Sequence, residues 1–376
     1  MKNLDKIKGC LVGGAVGDAL GYPVEFLTDS QIFRRYGERG ITDYEKRGGV
    51  AEISDDTQMT LFTATALLYG KTRAMTHGVC NPLQYINGSY INWYMTQYPH
   101  QDFGDEMIFS WLMNDRRMFS SRAPGRTCLS AIKNSMESGV RFGTENPANN
   151  SKGCGGVMRV APIGLYLSYK DNEDLHIEEM GAEAAALTHG HPLGYIPAAA
   201  LVHIISRLAN EDNITLKEAV ESSVPAVSRL FDGDEYLGDF IALMLRAMEL
   251  AEQTELDELD AIRELGQGWV AEETLAISVY CALRHRDSFE DAVIAAVNHS
   301  GDSDSTGAVT GNIMGAYLGF GAIPERYLAD LELIDIITEI AEDMYNDCQM
   351  TMYDPYYDPV WEEKYITMSY KPKMAE

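Results

Sequence analysis

Apolar residues recur along most of this chain at the spacing of helix faces. Between 333 and 348 they fall three or four positions apart, so that one side of a 3.6-residue helix is apolar. The same period marks four further segments, which are 57–70, 196–209, 240–253 and 273–285. Sustained alternation of β-branched residues, which is typical of strands, is almost absent. The pattern predicts an all-α fold, with one short hairpin near 40–53.

Two of the expected helices have glycine at every fourth position. The glycines are Gly9, Gly13 and Gly17 in one segment and Gly307, Gly311 and Gly315 in the other. Each glycine inside a helix costs up to about 1 kcal/mol relative to alanine, so something must approach the backbone closely there. Tight packing of helix on helix is the favoured explanation for the glycines alone. A membrane version of this motif is excluded because neither segment is long or apolar enough.

No segment has the composition of a linker between domains. The polar stretch 144–153 and the acidic stretch 252–260 are typical of surface loops or helix ends, and no repeat of 20–50 residues is present. We expect one domain over 1–376. Its last part, 330–376, should contain a helix followed by an aromatic tail. Because prolines interrupt the tail at 352–370, we expect it to cover the surface as an extended segment.

Composition limits the partners of the chain. Among 376 residues, 57 are acidic and 30 are basic, which gives a formal net charge of −27. This charge argues against binding to nucleic acid and to anionic membranes. The sequence has no run of about 18 apolar residues, so we expect no transmembrane helix. Six cysteines without a CxxC pair indicate reduced thiols, and Asp18 interrupts the only stretch that resembles a secretory signal. We expect a cytoplasmic protein, whose oligomeric state the sequence leaves open.

Two adjacent carboxylates, Asp55 and Asp56, stand at the start of a predicted helix. Serine and aspartate are common helix N-caps, so a structural role explains Ser54 or one of the aspartates. A second carboxylate exceeds what one cap requires. Because neighbouring carboxylates repel each other, a shared cation is one way to relieve the repulsion.

A second acidic cluster precedes the C-terminal glycine-rich helix. Asp302, Asp304 and the Ser305 hydroxyl offer three hard oxygen ligands within four residues. An EF-hand is excluded, because the glycine at position 6 and the glutamate at position 12 of its loop are missing. Oxygen ligands without His or Cys favour Mg²⁺ or Mn²⁺, and two such helix starts could hold two ions about 3.5–4 Å apart. We therefore predict that both clusters meet in one cleft.

Other features are weaker when they are considered alone. Glu25 follows the first glycine-rich helix, and a surface position is its default explanation. The glycine-rich segment 151–162 could bind phosphate through backbone N–H groups, but it matches neither the P-loop nor the dinucleotide fingerprint. Cys154 within it is not expected to be a nucleophile, because the spacing supports no Cys–His–Asn framework. His189 and His191 could bind metal, yet loop hydrogen bonding is favoured without a carboxylate motif nearby.

Five sequence blocks occur together in one order. They are GCLVGGAVGDALGYPVEF, SDDTQMTLFTA, GCGGVMRVAPIGL, LTHGHPLGY and NHSGDSDSTGAVTGNIMGAYLG. This series resembles the successive blocks of the ADP-ribosylglycohydrolase family, from about residue 7 to about residue 320. The family includes the enzyme that reactivates dinitrogenase reductase and the animal ADP-ribosyl-acceptor hydrolases. The resemblance implies an all-α fold whose central cleft holds two Mg²⁺ or Mn²⁺ ions, and removal of ADP-ribose from modified proteins or small ADP-ribosyl compounds.

The resemblance also implies roles for individual residues. The metal ligands it implies are Ser54, Asp55, Asp56, Asp302, Asp304 and Ser305. Glu25 matches an acidic residue that acts at the reaction centre in some members, and Asp56 is the other candidate for proton transfer. The segment that contacts the pyrophosphate supplies Ser151, Gly153, Cys154, Gly155 and Gly156. His189 matches a histidine that lies beside the substrate.

Departures from the family pattern affect the expected substrate. Serine stands at 54 and 305 where many relatives have threonine, so a hydroxyl remains. Cys154 replaces an asparagine of several members, which puts an amide contact to the substrate in doubt. The segment GDSDSTG and the acidic, aromatic tail are more similar to the arginine-directed animal branch. We therefore expect a Mg²⁺-dependent hydrolase of the N-glycosidic bond between ADP-ribose and arginine in proteins.

Three alternatives stay open at this point. The first is hydrolysis of serine-linked ADP-ribose or of free ADP-ribosyl compounds. The second is a metal-dependent phosphohydrolase, which is less favoured because the sequence has no adjacent His–Asp pair. The third is a non-catalytic binder, which is disfavoured because all six expected ligand positions keep oxygen side chains.

Overall fold

Helices make up the regular structure of the protein. The computed structural model describes residues 2–104, 106–167 and 176–372. Over these ranges there are seventeen α-helices and, besides short 3₁₀ turns, only isolated β-bridges. The helices are α1 (Leu4–Gly21), α2 (Asp29–Tyr36), α3 (Asp55–His77), α4 (Pro82–Gln97), α5 (Arg126–Ser138), α6 (Ala161–Tyr166), α7 (Ile177–Ala186), α8 (Pro192–Asn210), α9 (Leu216–Leu230), α10 (Leu237–Glu252), α11 (Glu258–Leu265), α12 (Ala271–Arg284), α13 (Phe289–Val297), α14 (Ser303–Leu318), α15 (Glu325–Leu328), α16 (Ile334–Asn346) and α17 (Pro359–Tyr365). They enclose one continuous hydrophobic core, so the all-α, single-domain prediction is confirmed for the described residues.

The hairpin predicted near 40–53 is reduced to one antiparallel residue pair. Arg47 and Val50 exchange two backbone hydrogen bonds of 2.9 and 3.1 Å around Gly48 and Gly49, which both have positive φ. Pairing stops there, because Ala51 bonds instead to the segment around Leu331. A glycine pair fits a two-residue turn, but without flanking strands it forms only a turn.

The glycine faces of α1 and α14 pack directly on each other in antiparallel orientation. Gly9, Gly13 and Gly17 lie against Gly315, Gly311 and Gly307 respectively. A Cβ atom at Gly17 would lie 2.0 Å from the carbonyl oxygen of Gly307, so no side chain fits between the backbones. The prediction of tight helix packing is therefore confirmed. This contact places the start of α14 beside the end of α1, which is where the site described below is built.

Alanine at Gly311 provides a direct test of this packing. Its Cβ would lie 2.0 Å from the carbonyl oxygen of Gly13, so the two helices would have to move apart. We expect the free energy of unfolding to fall by about 2–3 kcal/mol, as in other overpacked cores. Gly238 in α10 is the matched control, because a Cβ there meets nothing within 4 Å. Gly238→Ala should leave stability unchanged or raise it by up to about 1 kcal/mol. Equal losses for both variants in urea unfolding would contradict the assignment.

Helix α8 lies in the core. By length and composition it could cross a membrane, with a mean hydropathy of 1.3 over its best 18-residue window. In the folded protein 89% of that window is buried. The neighbours that cover it are α6, α7, α9 and α12. A core helix of a globular domain has the same composition, since it is apolar on all sides.

The C-terminal tail is not wholly extended, which corrects the sequence expectation. Asp358 caps α17 by accepting hydrogen bonds of 3.0 Å from the backbone N–H groups of Val360 and Trp361. The indole of Trp361 donates to the Thr72 hydroxyl on α3 at 2.9 Å, and both residues are buried. An aspartate cap followed by proline at the first helical position is a common helix start. The tail is therefore anchored to the core by one short helix.

Candidate active site

A cleft of about 340 Å³ opens where α3 and α14 begin and α1 ends. Its acidic lining consists of Glu25, Asp55, Asp56, Asp302 and Asp304, together with the Ser305 hydroxyl. The two aspartate clusters are about 250 residues apart in the sequence. The structure thus brings them together, as the sequence analysis predicted. Ser54 is fully buried and does not line the cleft.

Asp18 on α1 holds the start of α3 in place, and the sequence analysis missed this role. Its carboxylate accepts hydrogen bonds from the backbone N–H of Ser54 at 2.9 Å and of Thr57 at 3.1 Å, and from the Thr57 hydroxyl. The Ser54 hydroxyl accepts another bond from the Asp56 N–H. These contacts satisfy the N–H groups at the helix start. Capping therefore accounts for Asp18 and Ser54, and the Asp56 carboxylate is left without a capping role.

At the start of α14 the acidic side chains face the same space. Asp302 is the N-cap and accepts a hydrogen bond of 3.3 Å from the Ser305 N–H. Its second oxygen lies 2.8 Å from the Cys154 thiol. One carboxylate oxygen from each of Glu25, Asp302 and Asp304 lies within 4.8 Å of the others. Three carboxylates at this spacing can hold one hard cation between them.

The electrostatics of the cleft favour a bound cation. Burial, followed by the negative charges of neighbouring aspartates, raises the pKa of Glu25 to about 8. Burial also raises the pKa of Asp55 to about 8, and it raises the pKa of Asp56 and Asp304 well above the usual range. Glu25 Oε2 and Asp56 Oδ2 are buried without a hydrogen-bond partner among the described residues. Such oxygens are costly when they are uncompensated, so this donor set fits a hard divalent cation.

Metal binding should therefore stabilise the fold more strongly as pH rises. Without a cation, the raised pKa values of Glu25 and Asp55 mean that the folded state holds protons which the unfolded chain has already released. Stability of the metal-free protein then falls as pH rises from about 4 towards 8. We expect Mg²⁺ to raise Tm little near pH 5 and by several degrees near pH 8, which scanning calorimetry can measure. A gain in Tm that is absent, or that is equal at both pH values, would contradict the assignment of these carboxylates to a metal site.

The glycine-rich segment forms another wall of the cleft. Gly153, Cys154 and Gly155 line it together with His189, whereas Ser151 and Gly156 do not. Gly156 instead packs under the loop, where a Cβ would lie 3.0 Å from the carbonyl oxygen of Gly194. Burial raises the pKa of the Cys154 thiol well above its usual value, which opposes thiolate formation and supports the view that it is not a nucleophile.

The two histidines have separate surroundings. His191 caps α8, because its Nδ1 accepts a hydrogen bond of 3.0 Å from the Leu193 N–H. The prediction of loop hydrogen bonding is confirmed for this residue. His189 lies at the cleft with its ring against the glycine-rich loop, where a Cβ at Gly155 would come within 2.9 Å of the ring carbon Cε1. Glycine at this position therefore gives the imidazole its space.

Comparison with known proteins identifies the family of this chain. The family model of the ADP-ribosylglycohydrolases matches residues 1–353. The chain belongs to the ADP-ribosylglycohydrolase family. This ADP-ribosylglycohydrolase is therefore an enzyme of a family that hydrolyses ADP-ribose linkages and is known to depend on metal. The resemblance expected from the five sequence blocks is thereby confirmed.

Individual relatives are distant but align over most of their length. ADP-ribosylhydrolase ARH3 of Danio rerio is 24% identical, and the match covers 91% of this chain and 90% of the relative. ADP-ribosylarginine hydrolase Tri1 of Serratia proteamaculans is 25% identical over 92% of this chain and 80% of its own. A solved structure titled as an ADP-ribosylglycohydrolase-related protein complex superposes with a TM-score of 0.58 at 24% identity. The match covers 91% of this chain and 98% of the chain in the solved structure, and it supports the same fold.

An aromatic pair at the rim of the ADP-ribosylglycohydrolase cleft was not predicted. Phe26 and Trp269 stack with ring centroids 5.5 Å apart, although their residues are 75% and 38% exposed. Phe26 directly follows Glu25, and the Trp269 carbonyl accepts a hydrogen bond of 3.3 Å from the Cys154 N–H. The pair thus joins the glutamate to the glycine-rich loop. A tryptophan beside glycines in GQGWV was the available signal, but it could not show which segment the ring would meet.

Proposed function

We propose that the chain is a Mg²⁺-dependent hydrolase that cleaves the C1″ N-glycosidic bond between ADP-ribose and an arginine side chain of a protein. Free ADP-ribose and unmodified arginine would be the products. The observation that carries this proposal is the meeting of two aspartate clusters, with unpartnered oxygens of Glu25 and Asp56, beside a glycine-rich loop.

Two Mg²⁺ ions, or Mn²⁺ ions in their place, are the cofactors in this proposal. The side chains that would hold them are Asp55, Asp56, Asp302, Asp304 and Ser305, with Ser54 only if its hydroxyl turns from its capping bond. When bound, such ions supply Lewis acidity, lower the pKa of a water molecule and fix hydroxyl groups of the ribose. Oxygen donors without nitrogen or sulfur favour these metals over zinc.

The residues of the cleft would act on the glycosidic bond through charge and proton transfer. Breaking the bond at C1″ develops positive charge on the ribose, which the surrounding carboxylates stabilise. Water adds its oxygen to C1″ while the electron pair of the broken bond stays on the guanidine nitrogen, which takes up a proton. Glu25 lines the cleft and its Oε2 has no partner among the described residues, so Glu25 would accept the proton of the attacking water. Asp56 is the second candidate for this role.

The other end of the substrate carries two negative charges, which the carboxylates repel. The pyrophosphate would bind at the wall formed by Gly153, Cys154 and Gly155, where the Cys154 thiol donates to the nearby Asp302 carboxylate. Backbone N–H groups of glycine-rich segments can surround such an anion. Arg126, which also lines the cleft, adds a positive charge there.

Charge also supports arginine as the acceptor. A guanidinium group is cationic, and both the acidic cleft and the net charge of −27 attract it. The relative from Serratia proteamaculans is named as acting on ADP-ribosylarginine, which supports the same choice. Hydrolysis of serine-linked ADP-ribose is the alternative, because a neutral hydroxyl acceptor would fit the same cleft.

Matched peptides with arginine-linked or serine-linked ADP-ribose test this proposal. Each would be incubated with the protein in Mg²⁺ and in EDTA, and released ADP-ribose would be measured by chromatography. We expect release from the arginine-linked peptide with Mg²⁺ and none with EDTA. Faster release from the serine-linked peptide would overturn the acceptor, and equal release in EDTA would overturn the metal dependence.

A further inference from the structure

Arg159 is a cation buried in the core, and no described residue gives it a carboxylate partner. Its side chain is fully inaccessible, and the acceptors of its terminal nitrogens in the described part of the chain are sulfur, carbonyl and hydroxyl atoms. One terminal nitrogen donates to the Ala184 carbonyl at 3.1 Å and to the Thr188 hydroxyl at 2.7 Å. The guanidinium also lies over the ring of Tyr90, 4.3 Å from its centroid. Burying a charge costs free energy unless its surroundings compensate it. Of these contacts, the one with Thr188 connects Arg159 to His189, which lines the cleft.

The Thr188 hydroxyl connects Arg159 to His189. Its oxygen accepts from Arg159 and lies 2.8 Å from His189 Nδ1. A guanidinium can only donate, so the hydroxyl proton is free to point elsewhere. Two other acceptors are in reach among the described residues. The Ala185 carbonyl at 3.5 Å already accepts from the N–H groups of Thr188 and His189, and the Cys128 sulfur, which already accepts from Arg159, is a weaker acceptor than an imidazole nitrogen. The short contact therefore has Thr188 as donor and Nδ1 as acceptor.

That direction decides where the imidazole proton resides. Burial and the positive charge of Arg159 lower the pKa of His189 to about 3, so the ring is neutral at physiological pH. A neutral ring that accepts at Nδ1 carries its proton on Nε2. A Cβ at Gly153 would lie 3.2 Å from this Nε2, which places the N–H against the glycine-rich wall of the cleft.

We propose that Arg159 is a positioning residue that acts through the Thr188 hydroxyl and fixes His189 as the tautomer protonated at Nε2, ready to donate a hydrogen bond to an anionic oxygen of the substrate. The identity of that oxygen rests on the proposed function, where it belongs to the pyrophosphate. The tautomer rests only on the contacts inside the protein. Arg159 touches no substrate in this arrangement, and its effect depends on the two side chains between it and the cleft.

Nitrogen-15 NMR of the histidine side chains measures the tautomer directly. The chain has eight histidines, and the signals of His189 can be assigned as those lost in His189→Gln. In the wild-type protein we expect a protonated Nε2 and an unprotonated Nδ1. Thr188→Val should shift the ring towards a mixture of tautomers, whereas Thr188→Ser should restore the wild-type signals. A wild-type ring protonated at Nδ1, or at both nitrogens near pH 7, would overturn the proposal.

Substrate binding supplies a second readout. Because the apparent Kd rises as the fraction of rings protonated at Nε2 falls, we expect Thr188→Val to raise the Kd for ADP-ribose and the KM in proportion to the loss of that tautomer seen by NMR, about 2-fold for an equal mixture, with kcat unchanged. Thr65→Val is the matched control, since Thr65 is a buried threonine on α3 that bonds Ser110 away from the cleft. Equal effects of the two variants on KM would overturn the proposal.

The two experiments separate this inference from the proposed function. If the wild-type protein binds no ADP-ribose, the proposed function fails, and the NMR result still decides the tautomer. Arg159→Met is a further variant, because an apolar chain of similar length removes the buried charge as well as the donor. It should produce the same mixed tautomer as Thr188→Val, and unchanged His189 signals would exclude Arg159 from the role.

Discussion

Asp304→Asn is expected to lower kcat/KM by at least about 10³-fold and to leave the protein folded. Asp304 lies at the start of α14, where its carboxylate meets those of Glu25 and Asp302 within 4.8 Å. The variant removes a proposed metal ligand, and the stabilisation that a bound metal provides at a transition state amounts to several kcal/mol. Since the aspartate is buried among like charges, its loss should not destabilise the metal-free protein. Steady-state kinetics at saturating Mg²⁺ and urea unfolding measure the two effects.

Asp343→Asn is the control for this variant. Asp343 is also a buried acid, but it lies on α16 and pairs with Lys364 at 2.7 Å, away from the cleft. Its replacement leaves a buried cation with one partner fewer, so stability should fall while kcat/KM stays within about 3-fold of wild type. Near wild-type turnover for Asp304→Asn would remove Asp304 from the metal site.

Glu25→Gln is expected to reduce kcat by about 10²–10⁴-fold, the usual contribution of general acid–base catalysis, with substrate affinity retained. Glutamine keeps the size and shape of the side chain and cannot accept the proton. The structure argues against a surface position for this glutamate, because Oε2 is buried and one carboxylate oxygen of Glu25 lies within 4.8 Å of oxygens of Asp302 and Asp304.

Glu38→Gln serves as the matched control, because Glu38 is exposed in the loop after α2 and lies outside the cleft. It should leave kcat and KM unchanged. Single-turnover kinetics would separate loss of chemistry from slow product release. If Glu25→Gln keeps kcat within about 3-fold of wild type, the proton acceptor must be another carboxylate, and Asp56 becomes the first candidate.

Helical periodicity predicted the helices well, and local geometry set their ends. The apolar face over 333–348 corresponds to α16, yet the helix begins at Ile334 because Leu333 has a φ of 60°. The three-and-four spacing also predicts Tyr345 on that face, but it is 41% exposed, since the face drifts around the axis over four turns. The hairpin near 40–53 stops after one residue pair because Ala51 bonds to the segment around Leu331, and the tail is not wholly extended because Trp361 bonds to Thr72 on α3. Local sequence patterns cannot show either of these distant contacts.

Much of the candidate site could be predicted because its residues are grouped in sequence. Asp55, Asp56, Asp302 and Asp304 form two short motifs, and hard ligands at helix starts are visible without a structure. Asp18 and Arg159 could not be found in this way. Each is a single charged residue in an apolar segment, and its role comes from distant partners, Ser54 and Thr57 for Asp18 and Thr188 for Arg159. A lone buried charge indicates a partner but does not name it.

The identity of the broken bond is the central claim, and mass spectrometry of the products tests it most directly. An arginine-linked ADP-ribosyl peptide would be incubated with the Mg²⁺-loaded protein, with Asp304→Asn as the inactive control. The masses of all products would then be measured. Hydrolysis at C1″ yields ADP-ribose and the unmodified peptide, and this is the result that we predict. The rival phosphohydrolase would cut the pyrophosphate and yield AMP and a peptide that keeps phosphoribose. Detection of AMP with the phosphoribosyl peptide, and no ADP-ribose, would contradict the account.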